Sequence, residues 1–217
     1  MHRLLIWFVI AAAGVGCFVL NWTVSNTAAF SLPAADLAEW ASLHPEARAA
    51  ALPLMASLLV RLPAALIICL VVVQLRQQGI RRSVLIGIGL MGAISLLPPW
   101  EFFTQYSNDP NYRQQAALAA LTMLLGTAVS FLRQDTSVFL EIGLAMVAGI
   151  SAVVGLGISQ GLIQTLGIGT GYGLGGILVI FTSLLLAASL LRERLRPTRH
   201  EMKDGRSVDN LPSEVRS

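Results

Sequence analysis

Charge is scarce in this 217-residue chain. Only 12% of its residues are charged, about half of the roughly 25% carried by an ordinary soluble domain. With 55% hydrophobic residues and a mean hydropathy of +0.69, a water-soluble fold of this size could not hide its apolar surface, whereas a bilayer needs only about 20 apolar residues per helix. Cysteine is nearly missing too. Cys17 and Cys69 both fall inside apolar runs, which excludes a disulfide framework and a thiolate metal site and leaves two small buried hydrophobes. The three histidines, His2, His44 and His200, lie at the start, in a connection and in the tail. No two have ligand spacing, so neither a metal nor a cofactor is expected. The basic segment LRERLRPTR has no interleaved aromatics, which points to anionic lipid and not to nucleic acid.

What the chain does have is long apolar runs. They predict an all-α, polytopic membrane protein with six transmembrane helices near residues 4–20, 52–75, 84–100, 116–132, 138–158 and 172–191. The first run follows His2 and Arg3 and resembles a secretory signal. Asn21 and Trp22 after it read as an interfacial anchor, so the helix is expected to be retained. Within the longest connection, Pro33 opens a short surface-lying helix through Leu43, and His44-Pro45 ends it. Pro98-Pro99 closes the third run, 159–169 is an uncharged loop, and 197–217 is a polar tail expected to be disordered.

Six passages place both ends on one side. That side holds Arg3, Arg76, Arg81, Arg82, Arg133 and the basic tail, against Arg48 and Arg113 opposite. The positive-inside rule therefore predicts a multi-pass protein with both termini in the cytoplasm.

Polar residues concentrate between 97 and 115, LPPWEFFTQYSNDPNYRQQ. Glu101, Gln105, Asp109 and Arg113 recur every four residues, and Asn108 to Asn111 reads as a turn with Pro110 starting the next helix. Glu101 would then close one helix and Arg113 open the next, at a mouth rimmed by Trp100, Phe102, Phe103, Tyr106 and Tyr112. Such a pair could clamp a polar headgroup, assist proton transfer or be a plain hairpin salt bridge. Two charges fall inside the runs. Arg61, about nine residues deep, needs a partner or water, and reaching outward to Glu101 or Asp109 would form a charged pocket. Glu141 is expected near the cytoplasmic edge, satisfied by Arg133 or water.

These residues carry a resemblance. Glu101 and Gln105 of WEFFTQ, Asp109 and Arg113 of NDPNYR and Gly126 of the following helix resemble the VanZ-like family of small helical membrane proteins, over roughly residues 52–131. The glutamate and glutamine are four apart where the family has three, and Thr122 and Met123 stand near Gly126 where the family has an asparagine. The resemblance implies a small bacterial inner-membrane protein connected with the cell envelope, and carries over no activity.

The segment GLGISQGLIQTLGIGTGYGLGG, residues 155–176, is the other unusual stretch. Its alternating glycines allow close backbone approach, with Gly171 and Gly175 offering a small-xxx-small contact. Thr170 to Gly173 spells part of a potassium filter without a convincing pore helix before it. Gly157 to Gly161 spells a nucleophile elbow, but Ser159 follows a membrane span, not a strand, and Glu193 and His200 lie across the bilayer. Packing is the expected role.

The leading function is an envelope-associated accessory or resistance-type protein with an outward-facing site, Arg61, Glu101, Gln105, Asp109 and Arg113, for a lipid-linked or amphipathic small molecule. A small solute or lipid transporter and a structural subunit among other membrane proteins stay open, as does enzymatic activity.

Overall fold

The computed structural model describes residues 2–25, 31–50, 54–131 and 137–194. The predicted tail, with His200, and Arg133 and Asp135 lie outside the described residues. The chain is predominantly helical: α1 (His2–Phe18), α2 (Ala34–Leu43), α3 (Pro45–Ala49), α4 (Met55–Gln77), α5 (Arg82–Ser95), α6 (Glu101–Thr104), α7 (Pro110–Phe131), α8 (Ser137–Thr165) and α9 (Leu174–Arg194). Three short strands, β1 (Asn21–Ser25), β2 (Leu32–Pro33) and β3 (Thr170–Tyr172), form one antiparallel sheet with β1 in the middle.

Four helices, α4, α7, α8 and α9, are long and apolar enough to cross a membrane. α1 and α5 are apolar but shorter, at 17 and 14 residues, or about 26 and 21 Å at 1.5 Å per residue. Six full-length spans were expected, and four are found. For α5 the difference lies in punctuation. Pro98 and Pro99 remove two backbone donors and drive the residues before them out of the helical region. As a result α5 stops at Ser95, and Glu101 starts a separate turn, α6, without closing the third helix. The Leu97 carbonyl freed by this break accepts from Gln115 Nε2 of α7 at 3.2 Å.

α4 is the axis of the molecule. Its apolar stretch is 78% buried, against 33%, 39% and 44% for those of α7, α8 and α9. It packs on α8, α7, α5, α2 and α1, while α9 packs on α8 and α1. Glycine sets the closest crossing: a Cβ at Gly155 of α8 would stand 2.8 Å from the Leu59 carbonyl carbon and 2.9 Å from Val60 N of α4. Where α5 crosses α7, a Cβ at Gly126 would come 3.4 Å from Gly89 Cα, so the glycine of the family resemblance sits at a helix contact. Outward faces carry Phe8, Met91, Leu124, Phe139, Phe181 and Leu184, all exposed. So much apolar surface is what lipid covers and water does not.

Connections gather at one end of the bundle, holding the sheet, α2, α3, α6 and the turn before α7. Pro33 does precede α2, and His44 ends α2 and leads into α3 with Pro45 at its first position. The buried His44 ring also meets Thr165 Oγ1, at the end of α8, through Nε2 at 3.2 Å. The segment 159–165, expected as loop, continues α8. Trp22, expected at an interface, is fully buried within β1. Its indole N–H donates to Gly16 O at 2.9 Å. Room for this strand comes from the glycine segment: a Cβ at Gly173 would fall 2.2 Å from Asn21 O, and one at Gly175 2.5 Å from Leu20 O and 2.8 Å from Trp22 Cδ1. Gly175 therefore makes the expected tight packing, while Gly171 is exposed in β3, paired with Val24.

Candidate functional site

Arg61 of α4 is the centre of the polar site at the connection-rich end. Only 8% of it is exposed, and a guanidinium removed from water this far must be hydrogen-bonded. Its Nη1 donates to Asn111 Oδ1 at 2.6 Å and to Ser57 Oγ at 2.8 Å. Ser57 Oγ in turn donates to Asn111 Oδ1 at 3.2 Å. Both partners are buried and neutral, so the triangle satisfies donors without cancelling the charge. The nearest balancing charge is Glu39 of α2, an electrostatic neighbour of Arg61 together with Tyr112. Glu39 also acts electrostatically on Tyr112.

Local sequence explains each placement. Ser57 precedes Arg61 by four residues, one helical turn, so both side chains lie on one stripe of α4. Asn111 is held by the start of α7: Asp109 Oδ1 accepts from Asn111 N at 2.8 Å and Tyr112 N at 3.4 Å, and Pro110 takes the first helical position, where its missing N–H costs nothing. Asp109 is thus a helix cap. Its other oxygen, Oδ2, meets Arg48 of α3 at 3.5 Å in a partly exposed ion pair, of a kind worth about 0–1 kcal/mol.

The five residues singled out by sequence therefore divide. Arg61 is central, and Asp109 positions Asn111 beside it. Glu101, Gln105 and Arg113 are exposed on the surface of the same end. Glu101 and Asp109 both act electrostatically on Tyr112, but among the described residues it is Asn111 and Ser57, not either carboxylate, that hold Arg61. Sequence reading passed over Ser57, Glu39 and Asn111 as site members. For Ser57 the signal was present in its four-residue spacing from Arg61. For Asn111 and Glu39 nothing local would have shown it, since their approach depends on how α7 and α2 pack on α4.

A second buried charge lies toward the other end of α4. Glu141, one turn into α8, is fully buried. It accepts from Gln74 Nε2 at 2.8 Å and from Gln77 Nε2 of α4, while Arg133, its expected partner, lies outside the described residues. Between the two polar clusters, α4 runs through Ala64, Leu66, Ile67, Leu70 and Val73, all buried. Arg61 and Glu141 are therefore separate sites.

Ser159 lies inside the continuous helix α8 and is buried, which is not the exposed strand-to-helix turn of a nucleophile elbow. Thr170 to Tyr172 is paired as β3, with Gln160 Nε2 donating to Gly171 O at 3.0 Å and Thr170 Oγ1 donating to Gln160 Oε1 at 2.6 Å. Its carbonyls serve a sheet and not a pore. Among the described residues no three His, Cys, Asp or Glu side chains gather to hold a metal ion.

Four long apolar helices around buried polar clusters fit a membrane protein by length and composition. Comparison with protein-family models, with curated proteins and with solved structures finds no match.

Proposed function

We propose that this chain is a multi-pass protein of the bacterial inner membrane, VanZ-like in kind, whose Arg61 site faces outward and engages a lipid-linked or amphipathic molecule of the cell envelope. The observation that carries this reading is the buried Arg61–Ser57–Asn111 triangle. A bundle gains nothing from an uncancelled guanidinium that an aliphatic residue would not supply more cheaply, so retaining it beside open polar residues is what recognition requires. On this reading α1 and α5 also cross, as short spans closed by Trp100 and the arginines at the opposite end, giving six passages with both termini cytoplasmic. A transporter is less well supported, because the apolar stretch of α4 separates the two polar clusters. A structural subunit draws support from Gly143, Gly157 and Gly161, small exposed residues along α8 with nothing packed on them.

Growth under glycopeptide or other cell-wall stress tests the proposal, comparing the wild type with a deletion strain and with Arg61→Leu and Asn111→Leu strains of matched membrane expression. Both point variants are expected to copy the deletion. Normal growth of both beside a sensitive deletion would move the function to scaffolding, and an indifferent deletion would remove the envelope assignment.

A further inference from the structure

We propose that the groove beside Arg61 binds the head of a phospholipid carrying one phosphate and one primary ammonium, the phosphate on Arg61 and the ammonium at Glu39. The inference deepens the outward-facing reading above and rests on it. The groove, of about 90 Å³, is lined by Cys17 and Phe18 of α1, Ala34 and Ala35 of α2, Arg61 of α4 and Leu118 of α7, with Ser95 and Gln115 at its polar edge. α1 packs on α9 and α4, and α5 packs on α7 and α4. The groove is therefore the space over α4 between them, capped at one end by α2.

Three features select the ligand. First, both hydrogen bonds of Arg61 leave from Nη1, which keeps Nε and Nη2 for a bidentate oxyanion such as phosphate. Second, Glu39, exposed, stands one helical turn from Ala35, which lines the groove. It attracts Arg61, yet among the described residues the two form no direct ion pair. A purely anionic head would be repelled by Glu39. A neutral head would leave both charges unused, and a zwitterion satisfies both. Third, the groove, at about 90 Å³, admits a small polar head and not a pair of acyl tails. The tails are left to exposed apolar surface such as that of Phe18, which lines the groove.

The test is native mass spectrometry of the full chain, purified in detergent after incubation with vesicles of equal phosphatidylethanolamine and phosphatidylglycerol. The wild type should retain phosphatidylethanolamine about tenfold over phosphatidylglycerol, the equivalent of one good charge-assisted contact. Arg61→Gln should lose it by a similar factor, and Glu39→Gln, at an exposed position, should abolish the preference while keeping a bound lipid. Equal retention of both lipids by the wild type, or an unchanged preference in Glu39→Gln, would overturn the proposal. So would displacement of the lipid by equimolar soluble phosphoethanolamine or inorganic phosphate, which would mark a site for the free head. Should Arg61→Gln not fold, Glu39→Gln decides alone. The sidedness is read separately: Glu39→Cys should react with a membrane-impermeant maleimide in intact spheroplasts. Reaction only after permeabilisation would overturn the outward-facing reading whatever the lipid preference.

Discussion

At the scale of single residues, the molecule holds two buried charges by hydrogen bonds to neutral amides and a hydroxyl. The consequence is an asymmetry between removing one partner and removing both. Asn111→Leu leaves the Arg61 guanidinium short of its best acceptor and is expected to cost about 1.5–3 kcal/mol, the range for hydrogen bonds to charged groups. Arg61→Leu removes the charge along with its need. A double-mutant cycle of the two, followed by unfolding in detergent, should therefore be non-additive, the double variant being more stable than the sum of single losses by about 0.5–3 kcal/mol. Strict additivity would break the link between the two side chains. The same logic applies to Glu141. Glu141→Ala strands the buried Gln74 donor at about 1–3 kcal/mol. Glu141→Gln keeps an acceptor oxygen and should lose clearly less in the same assay. The depth of Arg61 was legible from its place in an apolar run. Its partner was not, because a hydrogen bond between residues 50 apart in the chain depends on where two helices cross.

At the scale of elements, glycines decide how closely the helices lie. A Cβ at position 155 would meet backbone atoms of Leu59 and Val60, which cannot rotate away as a side chain would. Gly155→Ala is expected to push α8 from α4 and destabilise by about 1–3 kcal/mol. Gly157→Ala, two residues on with nothing within 4 Å, should be neutral or gain up to about 1 kcal/mol from better helix propensity. Unfolding temperatures of the two variants check this, and equal losses would refute the close crossing. From sequence, the glycine-rich segment showed that backbones would approach. It did not show which. The alternation through residues 167–175 promised close packing, and Gly173 and Gly175 use it to make room for β1 and the buried Trp22. A tryptophan after an apolar run has the composition of an interfacial anchor, and only the neighbouring glycines and the Gly16 carbonyl make a buried site for it.

At the scale of the whole molecule, the number of passages turns on α5, whose 14 residues fall short of a typical hydrocarbon core of about 30 Å. Single reporters on either side of it, Gln78→Cys in the turn before and Ser107→Cys in the loop after, give opposite answers if α5 crosses. In intact cells an impermeant maleimide should label Ser107→Cys, and Gln78→Cys only after permeabilisation. Labelling of both from one side would remove α5 from the spans. The basic residues bear on the same question at the other end of the bundle, where Arg82 lies over the Phe131 ring and Arg194 over Phe139, each at 5.4 Å. Cation–π contacts of this sort hold charged termini against an aromatic rim.

The class of this protein was determined by its sequence alone, because apolar run length and charge scarcity are properties of the chain before it folds. So was the start of α7, since Asp109 and Pro110 act on their own next turn. The ends of α5 and α8 were expected at 100 and 158 and lie at Ser95 and Thr165, where neighbours hold them: the Pro98-Pro99 break is stabilised by Gln115 of α7, and the end of α8 by His44. The site itself was decided by tertiary structure. A cation in a helix advertises only that it needs company, and Asn111 reaches Arg61 because α7 packs on α4.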